Sequence, residues 1–365
     1  MTYFYGLIFL IIWIVNFLNG TGIGNAYQTT EIFKTIVVFV GIINLLIDFS
    51  KKRTITVNKK IFNSYFLMIL FFFISSLLSG YLKRTLDFLW VYILVYLISK
   101  IPISHKLIKT IGSWYILMGL VVLFLFNYTS IFSGWNGNTI GMTVMYSYLF
   151  YLLKGFKTYS FKNISFLIIL TMVYLTLLYP TDSRSSILFS IIGLLYTLGL
   201  LSDKLINKKY SILLLLLLPL FISLITITIS NIPNVYDPLN TWSIKNFEKP
   251  IFNGRNDLYL QGLRLLSNNI LFGCGNILHS SWHNSAIHVL ATYGILGYLA
   301  WISSYFHTLN KTIHSQNKLL KSSVIMFLLV YVHQSVELGF IITNPNILPY
   351  VMFGVIISIL KRRRV

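Results

Sequence analysis

Twelve apolar stretches occupy most of this chain of 365 residues, and the segments between them are alternately basic and poor in charge. A membrane-crossing helix needs about 20 mostly apolar residues. The stretches lie at roughly 3–19, 31–49, 61–80, 86–101, 108–127, 139–155, 163–180, 185–201, 210–230, 284–308, 322–342 and 347–360. Several are short or joined by tight turns, which also allows a count of eleven. Hydrophobic residues make up 56% of the chain and charged residues only 10%, against about 25% charged in soluble domains. So little charge cannot cover so much apolar surface in water. The expected architecture is an all-α, polytopic membrane helix bundle forming a single integral domain over 1–365. Disorder, coiled coil, collagen and a disulfide scaffold are excluded. Cys274 is the single cysteine, so no internal disulfide can form.

A net charge of +20 would suggest nucleic acid in a soluble protein. Here its distribution reads as topology. Cytoplasmic loops are enriched in Lys and Arg. With both termini inside, the inner segments hold 21 of the 29 basic residues, in clusters around 51–60, 100–109, 154–162, 204–209, 311–321 and 361–364. The other eight, Lys34, Lys83, Arg84, Arg184, Lys245, Lys249, Arg255 and Arg264, fall outside. Nothing in this pattern calls for nucleic acid. The first stretch lacks a basic leader and a small-x-small cleavage site, so it reads as a span rather than a signal peptide. Inside, Lys outnumbers Arg 17 to 4; outside, four of the eight cations are Arg. The planar guanidinium fork suits phosphate better than the point charge of lysine, so the outer face is expected to bind oxyanions.

One connection is long. Residues 231–283 form a large extracytoplasmic loop with Pro233, Pro238, Pro250, Trp242 and Trp282. Loops of this length are functional or disordered, and its aromatic, apolar character argues against disorder. Within it, 255–268 predicts a short amphipathic helix, with Leu258, Leu265 and Leu266 on one face with Gly262, and Asn253 or Gly254 as cap. Arg255 then stands in the first turn, beside backbone N–H groups that favour anions. Arg264 lies about 180° away, so it is expected to pair with Asp257 or with lipid headgroups. A tight Gly273-Cys274-Gly275 turn follows, then His279 and His283-Asn284 at the start of the tenth stretch. Gly294 and Gly297 would let other helices approach closely.

Gly254-Arg255, Gly273-x-Gly275, His283-Asn284 and Gly294-x-x-Gly297, in that order on a late outer loop, resemble the O-antigen ligase and O-antigen/capsule polymerase superfamily. So do Asp182-Ser183-Arg184-Ser185-Ser186 and the terminal Glu337 with Asn344-Pro345-Asn346. The motifs cover roughly 180–350, and the rest agrees in topology only. The resemblance implies glycan transfer from a polyprenyl (undecaprenyl) pyrophosphate carrier at the outer leaflet of a bacterial cytoplasmic membrane. It implies no metal, no nucleotide and no other cofactor. The expected partners are that lipid-linked oligosaccharide, membrane lipid and a chain-length regulator.

The residues fit such chemistry. Arg184 and Arg255 would hold the diphosphate through charge-assisted bonds. His283 would take the proton of a sugar hydroxyl, since imidazoles titrate near pH 6.5. Asn284, His279 and Arg264 stand as further contacts to glycan or pyrophosphate, and Arg84 as a more remote one, with a local pair to Asp87 as its alternative. Asp182 supports Arg184, which has a salt bridge to Asp182 or snorkelling as its structural alternatives. Glu337, four residues after His333 in the eleventh stretch, either orients an arginine or His283, or pairs with His333. His283 has a plain role as a span cap, and His288, inside an apolar span, reads as a core histidine. His279, His283 and Cys274 have zinc-like spacing, without the carboxylate or Cys-x-x-Cys that would support it.

Three functions compete. A polymerase would join lipid-linked repeat units, and a ligase would move finished glycan to a lipid A core or a protein. A transporter or flippase would place ionisable groups near the midplane of both halves. Here the polar groups lie on one face and late in the chain, which favours the enzymes.

Overall fold

A computed structural model of the chain describes residues 1–20, 29–50, 59–132, 134–154, 161–275, 282–337 and 346–362. Within them the fold is all-helical. The helices are α1 (Thr2–Gly20), α2 (Thr29–Ser50), α3 (Lys59–Leu78), α4 (Leu82–Lys100), α5 (His105–Tyr128), α6 (Gly137–Leu152) and α7 (Phe161–Leu178). They continue with α8 (Arg184–Thr197), α9 (Lys209–Ser230), α10 (Pro233–Phe247), α11 (Arg255–Asn268), α12 (Ser285–Leu309), α13 (Lys318–His333) and α14 (Ile347–Lys361). Each apolar stretch holds a helix. Five of them, α2, α5, α7, α9 and α12, are long and apolar enough to cross a membrane, and several shorter helices are also apolar. With so few charges to cover them, they make a polytopic membrane fold.

Burial separates interior from periphery. The apolar window of α12 is 83% buried and that of α2 only 17%, so α12 is a central helix and α2 turns its side chains outward. From Ile140 to Leu152 every residue of α6 is buried, and α14 is buried over Ile347–Ile356. Buried hydroxyls tie neighbouring helices together. Trp13 Nε1 donates to Ser147 Oγ, Tyr115 hydroxyl to Phe9 O, and Tyr331 hydroxyl to Leu216 O.

Two expectations need correction. The eleventh apolar stretch extends to 342, but α13 starts at Lys318 and stops at His333, and residues 334–337 turn. The carbonyls there serve other elements: Gln334 O accepts from Ser285 N, and Ser335 O accepts from the Asn284 amide. Glu337 therefore stands in a turn, not on a helix face with His333. The segment 231–283 holds a second helix, α10, besides the anticipated one. Pro233 opens it at N1, where the missing N–H costs nothing.

α12 breaks at Gly294 (φ 68°, ψ −172°). The break releases backbone groups that cannot be left bare in an apolar setting. Segment 270–275 satisfies them. Cys274 N and Gly275 N donate to Ala291 O and Thr292 O, while Ile295 N and Leu296 N donate to Ile270 O and Leu271 O. A side chain on Gly294 would strike Leu271 O at 2.2 Å, and one on Gly273 would strike Gly294 N at 2.6 Å. Glycine is required on both sides of this stitch.

Basic residues at helix ends gather at one end of the bundle. Lys321 bonds Asp203 at 2.9 Å, Lys100 pairs with Asp48, Lys361 donates to Ser99 Oγ, and Arg362 donates to Ile103 O.

Candidate active site

At the opposite end, α11 begins where the backbone twice enters the left-handed region, at Asn253 (φ 49°) and Gly254 (φ 74°). Arg255 is its first residue. The helix lies on the bundle through Tyr259 and Gly262, which pack with Trp282, Ile287 and Ala291. This agrees with the amphipathic helix expected over 255–268. Tyr259 hydroxyl donates to Ser335 O at 3.0 Å, and burial pushes its phenol up to about 12. It joins α11 to the turn after α13.

That turn delivers Glu337. Its Oε1 accepts from Arg255 Nη2 at 3.1 Å, and its Oε2 lies 3.2 Å from His283 Nδ1. One carboxylate thus grips two side chains that lie 82 and 54 residues away in sequence. Burial acts to raise its pKa. The hydrogen bond from His283 and the charge of Arg255 outweigh that, and the carboxyl sits below its ordinary value. An ionised carboxylate can only accept, so His283 Nδ1 donates in this contact, and Nε2 is the ring nitrogen that faces away from the acid. The His283 side chain is one-third exposed. Its backbone is left-handed (φ 46°), a conformation that costs a non-glycine residue energy and collects at functional sites. Asp182, Glu248, Asn253 and His283 are the positive-φ non-glycines among the described residues, and all four belong to this end.

Arg184 opens α8 after Asp182, which is also left-handed (φ 58°). Its guanidinium lies over the Phe247 ring, 5.5 Å from the centroid. Next to it, Ser185 Oγ is 3.1 Å from His333 Nε2. His333 is fully buried, ends α13, and so links the start of α8 to the turn that carries Glu337. Counted at 1.5 Å per residue, His333 stands about 22 Å from the Lys318 end of its helix. The cluster is therefore far from the basic end.

Residues 164–302 match the family model described as O-antigen ligase. Over these residues, fewer than half of the chain, it is similar to that family. Members of this family are membrane enzymes that transfer glycans from lipid-linked donors. No curated protein and no solved structure matches the chain at a significant level. The matched residues include Asp182, Arg184, Arg255, Arg264, His283 and Asn284; Glu337 and His333 lie outside them.

The fold does not bring every anticipated residue to the cluster. Asn284 is fully buried. Its Oδ1 caps α12 by accepting from Ala286 N and Ile287 N, and its Nδ2 donates to Pro219 O, Ser223 Oγ and Ser335 O. With every donor and acceptor engaged, it is the joint beneath His283. Arg264 is exposed on α11 and makes no pair with Asp257, whose Oδ1 accepts from Asn256 instead. Asp182 pairs with Lys249 and not with Arg184. Arg184 has no ion pair among the described residues, so its guanidinium edge remains available. His333 bonds Ser185 rather than Glu337. His279, Asn344, Pro345 and the side chains of Arg84 and Asp87 lie outside the described residues. Sequence reasoning missed Ser185 as a contact and Lys249 as the partner of Asp182. Lys249 had a signal, as one of eight cations assigned to the outer face.

Proposed function

We propose that this chain polymerises lipid-linked oligosaccharide repeat units at the outer face of the bacterial cytoplasmic membrane. The substrate is a glycan on undecaprenyl pyrophosphate, as in O-antigen or capsule synthesis. The observation that carries this reading is the Glu337 carboxylate holding both Arg255 and His283. A guanidinium and an imidazole with a free Nε2, fixed by one acid, suit an acid-labile glycosyl phosphate and an incoming alcohol.

His283 Nε2 takes the proton of an acceptor hydroxyl as its oxygen attacks the anomeric carbon. The bond from that carbon to the phosphate oxygen breaks, and the electron pair leaves with the prenyl pyrophosphate. Arg255 offers the guanidinium donors that Glu337 does not use, and Arg184 brings a second fork to the diphosphate. Glu337 remains ionised and stabilises the imidazolium as it forms.

The description of the matched family favours a second reading, a ligase that moves finished glycan to a lipid A core or a protein. Purified protein in liposomes, given only lipid-linked repeat units, distinguishes them. A ladder of lengthening glycans supports the polymerase. Product formed only when a lipid A core or protein acceptor is added supports the ligase. No transfer under either condition overturns both.

A further inference from the structure

α10 has three faces of different character. Tyr236 stacks on Phe252 at 5.9 Å, Asn240 Oδ1 accepts from Ile251 N, and Ser243 Oγ donates to Lys249 O, so one face is closed by the segment that follows the helix. Val235, Leu239 and Trp242, spaced i, i+4 and i+7, form an exposed apolar stripe, with Trp242 56% exposed. Asn234, Asp237, Thr241 and Lys245, spaced i, i+3, i+7 and i+11, form an exposed polar one. At about 100° per residue the two stripes are centred about 120° apart.

We infer that α10 lies in the plane of the membrane surface, with Val235, Leu239 and Trp242 in the acyl-headgroup boundary and the polar stripe in water. Three observations select a lipid leaflet over another protein. α9 rises about 31 Å from Lys209 to Ser230, which matches a hydrocarbon core of about 30 Å, and α10 starts at Pro233, immediately beyond it. The chain just before the stripe is also apolar and exposed, at Phe221, Leu224 and Ile225 of α9 and at Ile232. An amphipathic helix with a tryptophan at the boundary is the arrangement that interfacial helices use.

The helix is also fastened to the candidate site. Phe247 at its end lies under the Arg184 guanidinium, and Lys249 pairs with Asp182. A helix seated on the leaflet thereby sets the height of Arg184 relative to the lipid headgroups. The seating itself does not depend on which glycan, if any, is transferred.

The test uses full-length protein with Cys274→Ser, reconstituted in phosphatidylcholine–phosphatidylglycerol bilayers. Single cysteines replace Val235, Leu239, Trp242, Asp237, Thr241 and Lys245 in turn and carry a nitroxide. Oxygen should relax the labels at 235, 239 and 242 severalfold more than a nickel chelate does, with the order reversed at 237, 241 and 245. Nickel access equal at all six positions would mean that the helix stands off the membrane. Protection of 235, 239 and 242 from both reagents would mean that a second copy or another protein covers the stripe. Either result overturns the inference. A variant needing no label gives an independent check: Trp242→Phe should remove part of the tryptophan emission quenched by lipids brominated near the headgroup, and unchanged quenching counts against the seating.

Discussion

Lys321, in the first turn of α13, meets Asp203 of the connector between α8 and α9 at the basic end of the bundle, with their side chains 16% and 41% exposed. Glu337, at the other end, is only 10% exposed and touches two cationic or protonatable side chains at once. The first pair joins neighbouring elements in water, where such bonds contribute about 0–1 kcal/mol. The second assembles three segments around one acid in a place where removing a partner strands a charge, at about 3–5 kcal/mol. The left-handed non-glycine residues belong to the second end as well. Ionic groups at one end close the fold; at the other they hold a geometry that the chain would not adopt by itself.

The sharpest way to break this contrast is His283→Ala. The protein should still insert, and glycan transfer should fall by about 10²- to 10⁴-fold, the usual worth of a general base. Long chains at normal yield in cells carrying this variant would remove the base from the mechanism. Arg255→Lys and Arg184→Lys come next. Each keeps the charge and loses the fork, and each should lower transfer by about tenfold or more, since bonds to charged groups contribute about 1.5–3 kcal/mol. Full activity in a gel-based chain-length assay would show that point charge suffices.

At the basic end the expectation is the reverse. Lys321→Ala should change unfolding free energy by no more than about 1 kcal/mol and leave transfer rates unaltered. A large loss of activity there would erase the distinction between the two ends. The smallest effect concerns pH. Glu337 has a depressed pKa when folded, so its contribution to stability is complete above the unfolded value, about 4.3, and is lost as pH falls through the folded value. Thermal unfolding of the wild type and Glu337→Gln should therefore differ by a constant amount at neutral pH and converge only under acid conditions below that range. Convergence near pH 6 would contradict the ionised bridge.

Helix α11 is legible because Leu258, Leu265 and Leu266 share one face with Gly262 and Arg255 follows a residue pair suited to a cap. Helix α10 is not, because Pro233 and Pro238 read as loop, although a proline at N1 begins a helix as readily as it breaks one. The end of α13 was missed for a different reason. Residues 334–337, Gln-Ser-Val-Glu, interrupt an apolar run that resumes at Leu338; their carbonyls are claimed by Ser285, Asn284 and Tyr259, and nothing local announces partners so far along the chain.

Composition and the spacing of apolar and basic segments were enough to determine that this chain forms membrane helices and where nearly all of them lie. That information is local, because each helix satisfies its own backbone and needs only an apolar surround. The order of Arg184, Arg255 and His283 along the chain also marked one region for chemistry. Only the tertiary structure decided that Glu337 joins Arg255 to His283, that Asn284 is a buried joint, and that α12 breaks against segment 270–275. Those outcomes depend on hydrogen-bond partners tens to hundreds of residues apart, and such pairings are settled by packing rather than by periodicity.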